Sequence, residues 1–426
     1  MKKRILALLC TLGLVFTASF SSVASAGAAS AGPGSYGISD YLGYYDKDRK
    51  TDSALTNAVI NALAELRTEG LNANSNSIQK AKLVHDYLSK TVKYDDAAAD
   101  TIIDNIKKGS NDSTAYEVEG AYGALVKHTA VCGGYTSAYT LLMNILGVPT
   151  ISLDGVEEAH AWNMVNLNGK WYHVDVTLDN PETSIGKKYI GQVENYNNFL
   201  KSDSFMKSPQ GGNYGSWEIW SPSLASGYNM PVANDTTYDA YDFSNVQLSD
   251  LASLMPATTA KMSLDTTSTY NGIVGHGYTF AVNSNIGEMA FATSTNPNVQ
   301  ISAPVYAAGR QYYTMIFKAP CTSTINVTSA SGITASFPVI VKAGKENFTC
   351  DTSGTVRVKR NGKYTCLITS KQTPKVTTGN QIVEIISSWH SGNRYYYTIQ
   401  ADGDAGSSVG VYVNGLIIPT FVTKIV

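Results

Sequence analysis

The sequence predicts an α+β domain followed by two all-β sandwiches. Three observations carry this: helical apolar spacing in the first 150 residues, a hairpin pattern around Asn168-Gly169, and an internal repeat beyond residue 256. Over residues 51–67, Leu55, Val59, Leu63 and Leu66 recur at helical spacing, with Thr51, Asp52 or Ser53 available as cap and Gly70 as stop. Ser77 then precedes Ile78, Ala81, Val84 and Leu88, a second amphipathic helix running towards Val92 and Tyr94. A third helix is expected to start at Cys132 and pass through Ala138, Leu141, Leu142 and Ile145 before Gly147 and Pro149 stop it. Strands are expected at residues 148–153, 160–167 and 170–177, the last two joined by Asn168-Gly169, the strongest two-residue hairpin signal.

After Pro181 the apolar pattern weakens, and Ser221-Pro222-Ser223 through Pro256 is rich in turn residues, so a domain boundary is placed near residue 245. Beyond it, Met262-Ser263-Leu264-Asp265-Thr266 matches Phe348-Thr349-Cys350-Asp351-Thr352, and Gly277-Tyr278-Thr279-Phe280 matches Lys363-Tyr364-Thr365-Cys366, both at an offset of 86. Tyr312-Tyr313-Thr314 matches Tyr396-Tyr397-Thr398, and Ser336-Phe337 matches Thr420-Phe421, at an offset of 84. Two tandem modules, 256–342 and 343–426, follow, each read as a β-sandwich from its short alternating stretches between Gly, Asn and Ser turns.

The chain opens with Lys2, Lys3 and Arg4, an apolar run through Phe16 and small residues ending Ala24-Ser25-Ala26, the pattern of a secretory signal peptide over residues 1–26. That run falls well short of the ~20 residues a membrane span needs, so an exported, extracellular or cell-surface protein without membrane insertion is expected. Without the leader's basic residues the net charge is about −5, which gives no footing for a nucleic-acid partner. With Cys10 in the leader, four cysteines remain, and Cys132 stands apart from Cys321, Cys350 and Cys366. Cys350 and Cys366 occupy positions that are apolar in the sister repeat, Leu264 and Phe280, and a disulfide between them is expected.

An isolated cysteine in an exported chain raises the question of a nucleophile, which needs a thiolate, a base and a group that orients the base. A helix start at Cys132 presents unpaired N–H groups and partial positive charge, and Gly133 and Gly134 leave the approach open. With Asn168-Gly169 as the turn, Leu167 faces Lys170, so His160 and Asp175 become diagonal neighbours on one sheet face, on the order of 7–8 Å apart. A carboxylate there can hold one imidazole nitrogen and leave the other for a thiol. His173 shares the face by the same parity and stays open as a rival base. His85 and His128 read as structural or surface residues. No GxSxG, HExxH or phosphate loop competes, and no cofactor or metal is expected.

At these residues the chain resembles a known family. Tyr122-Gly123, Val131-Cys132-Gly133-Gly134-Tyr135, His160-Ala161-Trp162-Asn163 and Trp171-Tyr172-His173-Val174-Asp175-Val176-Thr177 are similar to the motifs of the bacterial transglutaminase-like superfamily of papain-type cysteine enzymes. Leu83-Val84-His85-Asp86-Tyr87-Leu88 with Val92-Lys93-Tyr94-Asp95 resembles the helix that precedes them. The resemblance implies a papain-like catalytic domain over 27–245, with Cys132 as nucleophile, His160 as base and Asp175 as the orienting residue, and it demotes His173. Ala130 and Leu178 depart from the pattern, standing where many members carry Gly and Trp, and Tyr122 is the candidate side-chain oxyanion donor. The implied chemistry is attack on a peptide or Gln carboxamide, with a protein or peptide substrate, cell-wall peptide included. Water as acceptor makes a protease or amidase, and a Lys amine makes a cross-linker. Val411-Tyr412-Val413-Asn414-Gly415 resembles closing strands of modules in clostridial surface proteins, which implies a Gram-positive host and immunoglobulin-like sandwiches. The alternatives are a scaffold without catalysis and an adhesive or binding surface protein carried by the β-modules.

Overall fold

The computed structural model describes residues 51–108, 114–156, 160–180, 195–219, 230–256, 259–302, 304–307, 309–344 and 348–426. The leader pattern, and the part of the turn-rich boundary at 220–229, lie outside the described residues.

Helix α1 (Thr51–Thr68) and α2 (Ser77–Thr91) form where the apolar spacing places them. The cap of α2 is Asn76, whose side chain accepts from Gln79 N–H while Gln79 answers to the Asn76 N–H. Two-stranded β1 (Lys93–Tyr94) and β2 (Thr129–Ala130) enclose α3 (Asp96–Lys108), a 3-10 turn (Thr114–Glu119) and α4 (Ala121–Val126), none of which the spacing announced. Helix α5 (Cys132–Ile145) begins and ends where expected, stopped by Gly147 in the left-handed region.

A five-stranded antiparallel sheet packs on α5. Its strands are β3 (Thr150–Gly155), β4 (Ala161–Leu167), β5 (Lys170–Val174), β6 (Phe199–Lys201) and β7 (Trp217–Ile219), in the order β6-β5-β4-β3-β7. Asn168 and Gly169 both have positive φ, as the two-residue turn requires, and the register runs from Leu167↔Lys170 to Asn163↔Val174 as read from the sequence. The expected strand at 170–177 is too long: it stops at Val174, because the Asp175 side chain accepts the Leu178 N–H at 3.0 Å and starts the short helix α6 (Val176–Asp179). One sheet face, with Val165, Leu167, Tyr172 and Val174, joins α1, α2 and α5 in the main core. The other carries Trp162 and Met164 against Met206 of α7 (Asp203–Met206), Tyr214 and Ala233. The main core continues past residue 245 to Leu251 of α8 (Leu248–Leu251) and to Met255.

The first sandwich stacks β12 (Val299–Ile301), β14 (Arg310–Phe317), β10 (Gly277–Ser284) and β8 (Met262–Leu264), with β13 (Val305–Ala307) beside β14, on β11 (Ala290–Ser294), β15 (Cys321–Ser329), β16 (Thr334–Lys342) and β9 (Tyr270–Ile273). The second repeats this order, with β21 (Val383–Ser391), β22 (Arg394–Ala401), β19 (Lys363–Ser370) and β17 (Phe348–Cys350) facing β20 (Val376–Thr378), β23 (Ser408–Val413), β24 (Phe421–Ile425) and β18 (Gly354–Val358). The repeat extends to side chains. Thr266 bonds Tyr278 at 2.8 Å and Thr352 bonds Tyr364 at 2.9 Å, while Asp265 and Asp351 accept from Ala281 N–H and Leu367 N–H, each at 2.9 Å. Both are immunoglobulin-like sandwiches.

The cysteine expectation needs correction. Cys350 and Cys366 are diagonal neighbours on adjacent strands and share a hydrogen bond, but they are free thiols. That bond, against the opposing pull of burial, brings Cys350 down to about 7.

The first sandwich is fastened to the helical side of the first domain. Met289 N–H donates to Ile145 O at 2.8 Å, Arg67 Nη1 to Ala330 O at 2.9 Å, and buried Lys80 and Glu288 stand 3.8 Å apart.

Candidate active site

Cys132 is the first residue of α5, buried, on a helix whose N-cap, Val131, offers no side-chain cap. At this position its own N–H and that of Gly133 have no intrahelical acceptor, whereas Gly134 N–H already bonds Val131 O at 2.9 Å. Gly134 is required by space: a Cβ there would stand 2.3 Å from Val118 O and 2.7 Å from the Ala130 Cβ. The helix start is thus pressed onto the 3-10 turn, and the Val131 N–H to Val118 O bond at 3.1 Å seals the contact. Glu119 ends that turn, and burial, with the Asp154 carboxylate nearby, pushes it up to about 7.

His160 sits one residue before β4, and Asp175 one residue after β5, so the two meet beyond the strand ends rather than across the sheet face. Nε2 of His160 and Oδ2 of Asp175 are 2.6 Å apart, both side chains buried, and the other Asp175 oxygen is held by Leu178 N–H. Burial opposes a charge on His160, but the Asp175 carboxylate outweighs it, and Tyr214 and the Cys132 thiol add to the effect, so the imidazole pKa is raised well above its usual value. Nδ1 has no partner of standard hydrogen-bond geometry. The Cys132 thiol nevertheless acts on the ring as a hydrogen-bond neighbour, the smallest of the influences that raise its pKa. The structure therefore gathers Cys132, His160 and Asp175 at one point.

His173 does not join them. In β5 it opposes Met164, on the sheet face turned away from the main core, and both its nitrogens are engaged: Nδ1 by Trp162 Nε1 at 2.8 Å, Nε2 by Asp203 Oδ1 at 2.8 Å. Burial lowers its pKa. Tyr122 packs beside the main core with Lys127 Nζ 5.7 Å from its ring centre. Leu178 is 44% exposed, so the position where Trp is common leaves an open surface beside Asp175.

His85, read as a structural helix residue, is fully buried between two carboxylates, Asp86 at 3.1 Å and Asp179 at 3.2 Å. Asp179 also accepts from Asn198 N–H and closes α6 one turn after Asp175, so this network pins the short helix that begins at the orienting carboxylate. The pairing depends on Asp179 and Asn198, roughly a hundred residues along the chain, and no local spacing signals it. Among the described residues no group of three or more His, Cys, Asp or Glu is placed to hold a metal ion, and no helix is long and apolar enough to cross a membrane.

A family model described as the transglutaminase-like superfamily matches residues 64–176. Among solved structures, a crystal structure of a TGase is similar at 16% identity over 35% of this chain and 37% of its own, with a TM-score of 0.26. The tandem Ig repeats of Dlar align at 6% identity over 39% of this chain and 97% of theirs, with a TM-score of 0.22. Domains 5-6 of the S-layer protein SbsC align at 17% identity over 39% and 96%, with a TM-score of 0.17. No curated protein matches the chain.

Proposed function

We propose, on the premise that residues 64–176 form a domain of the transglutaminase-like superfamily, that this chain is an exported cysteine enzyme acting on protein or peptide amides. The observation that carries the reading is His160, bonded to the Asp175 carboxylate through Nε2 while the Cys132 thiol acts on the same ring. In this reading the thiol proton passes to His160 and Sγ attacks the amide carbon. The N–H groups of Cys132 and Gly133 receive the developing oxyanion. The C–N bond breaks as the imidazolium returns its proton to the leaving amine, and a thioester remains. Water or a Lys amine then attacks the thioester, and the thiol is restored. Asp175 holds the imidazole tautomer and supports its positive charge without itself taking the proton.

Labelling with iodoacetamide followed by peptide mapping tests the assignment. Cys132→Ala removes the fast-labelling site, His160→Ala slows labelling of Cys132 near neutral pH, and Asp175→Asn leaves labelling partly intact while cutting turnover. Equal labelling of all four cysteines in the native protein sinks the reading. Mass spectrometry of peptide mixtures after incubation separates the two outcomes, ammonia loss with new Gln–Lys bonds against chain cleavage.

One observation favours an additional binding role for the second sandwich. In the β21–β22 hairpin, Trp389 is 57% exposed and stacks on Tyr396 with ring centres 3.9 Å apart. Unchanged retention of full-length Trp389→Ala on insoluble cell-wall material would remove that role.

A further inference from the structure

We propose that His173, held by Asp203, is a positioning residue for His160 and acts through the indole of Trp162. The inference rests on the reading of His160 as the base, and deepens it by accounting for what fixes the plane of that ring.

An indole N–H can only donate. Its bond to Nδ1 of His173, at 2.8 Å, therefore leaves that nitrogen without a proton. The proton must sit on Nε2, where it is donated to Asp203 Oδ1 at 2.8 Å. Asp203 is steadied in turn by Ala233 N–H at 3.2 Å. Each link leaves the next a single role. His173 is locked as a neutral tautomer, so its second nitrogen is an obligatory acceptor that fixes the rotation of the indole about its side-chain bonds.

The indole then lies beside His160, ring centres 6.0 Å apart and planes within 16°. Tyr214 lies beside both, tilted by 36° at 4.6 Å from Trp162 and stacked at 6.2 Å from His160. Asp175 grips His160 at one atom only, and a ring held at one edge can still swing about that edge. Flat neighbours against its face remove this freedom. That matters because Nδ1 must point at Sγ within a narrow cone, and an ångström of misplacement can cost on the order of a hundredfold in rate. The groups facing His160 are Asp175, Cys132 and Tyr214; those acting on His173 are Asp203, Lys207 and, more weakly, Asp175.

A bland account exists: His173 merely satisfies a buried indole N–H. The two differ in what they do to Cys132. The experiment measures, on the full-length protein, the pH dependence of iodoacetamide capture at the Cys132 peptide, with melting temperature in parallel. His173→Asn keeps an acceptor near the Nδ1 position and is expected to stay within about threefold of the parent rate at each pH. His173→Leu removes it and is expected to lower capture near neutral pH by roughly tenfold, with a displaced profile. Superimposable parent and His173→Leu profiles, or an equal fall in both variants, overturn the proposal. Should His173→Leu not fold, Asp203→Ala at the more exposed end of the chain replaces it: a displaced profile supports the proposal and an unchanged one overturns it. His160→Ala keeps the two readings apart. If capture of Cys132 is unaffected by that change, the enzyme reading itself falls; if capture slows there but is indifferent to His173, only the positioning role does.

Discussion

Replacing Gly134 with Ala sets two effects of opposite sign against each other beside the nucleophile. Helix propensity alone favours Ala over Gly by up to ~1 kcal/mol, less in a first turn. Space argues the other way, since the new Cβ would stand 2.3 Å from Val118 O, 2.7 Å from the Ala130 Cβ and 3.2 Å from Gly120 O. A carbon and a carbonyl oxygen need roughly 1 Å more than the first of these distances, and the obstacle is backbone that cannot rotate away. Overpacking of this kind costs ~1–3 kcal/mol. Moving the Val118 carbonyl also weakens its bond from Val131 N–H, worth ~1 kcal/mol. Steric cost wins, and a net loss of about 1–3 kcal/mol is expected, a fall in melting temperature of several degrees for a domain of this size. Because the same contact sets where α5 begins, iodoacetamide capture of Cys132 is expected to slow by tenfold or more. Thermal melts and capture rates on the full chain decide it. A variant that melts at or above the parent temperature and captures at the parent rate would falsify the argument that this glycine places the nucleophile.

Lys80 and Glu288 join the first domain to the first sandwich as a buried pair, so Glu288→Gln, which strands the ammonium, is expected to cost ~3–5 kcal/mol, and Lys80→Met with Glu288→Leu much less. A double-mutant denaturation cycle with no coupling would refute this. Glu119, raised to about 7 from 4.5 by burial and Asp154, makes the native state bind a proton more tightly than the unfolded chain, so its contribution to stability falls as pH rises from 4.5 to 7. Glu119→Gln should therefore gain on the parent by up to ~3 kcal/mol at pH 8 and by almost nothing below pH 4.5, read as paired melts across pH. For Cys350 and Cys366, already in thiol–thiol contact, a mild oxidant should close a disulfide led by the more acidic Cys350 thiol, seen as a loss of two hydrogens on peptide mapping. Oxidation that instead joins Cys321 to either would show that the contact does not govern reactivity.

What could be read from the sequence was local. Asn168-Gly169 admits one hairpin geometry, and from it the register of β4 and β5 follows residue by residue. The start of α5 at Cys132 and its end at Gly147 were legible for the same reason, since a break in apolar spacing and a left-handed glycine lie next to each other in the chain. The end of β5 was not, because Asp175 can extend the strand or cap a helix, and the free Leu178 N–H decides for the cap. Parity placed His173 on the face of Asp175, but Asp175 leaves the strand, and His173 turns instead to Asp203, thirty residues on. The repeat at offsets 84 and 86 foretold two sandwiches of one strand order, down to the Asp-Thr-Tyr cluster. It could not foretell that the first sandwich leans on α5, because Glu288, Met289 and Ala330 lie in the connections just before β11 and just after β15, where no repeat or spacing marks them.

That lean bears on how the site is held. Helix α5 presents Cys132 at its first turn, and its last turn is bonded by Met289 N–H at Ile145 O, while Lys80 Nζ donates to Leu146 O at 2.9 Å and pairs with Glu288. Gly147, which stops the helix, lies so close to the sandwich that a Cβ would stand 2.4 Å from Ile286 O. A helix is stiff along its axis, so a displacement at one end is not absorbed within fourteen residues but passes to the other. Its N-terminus is wedged against the 3-10 turn through Gly134 and its C-terminus against the first sandwich through Gly147. Both wedges are backbone-to-backbone contacts that tolerate no side chain. A cut at residue 245 would remove the second wedge, together with Leu251 and Met255 from the main core. The physical unit that positions the thiol thus reaches from α1 to the end of the first sandwich, and the second sandwich, joined to the first through the Ile417 N–H to Gly275 O bond at 2.9 Å, stands outside it.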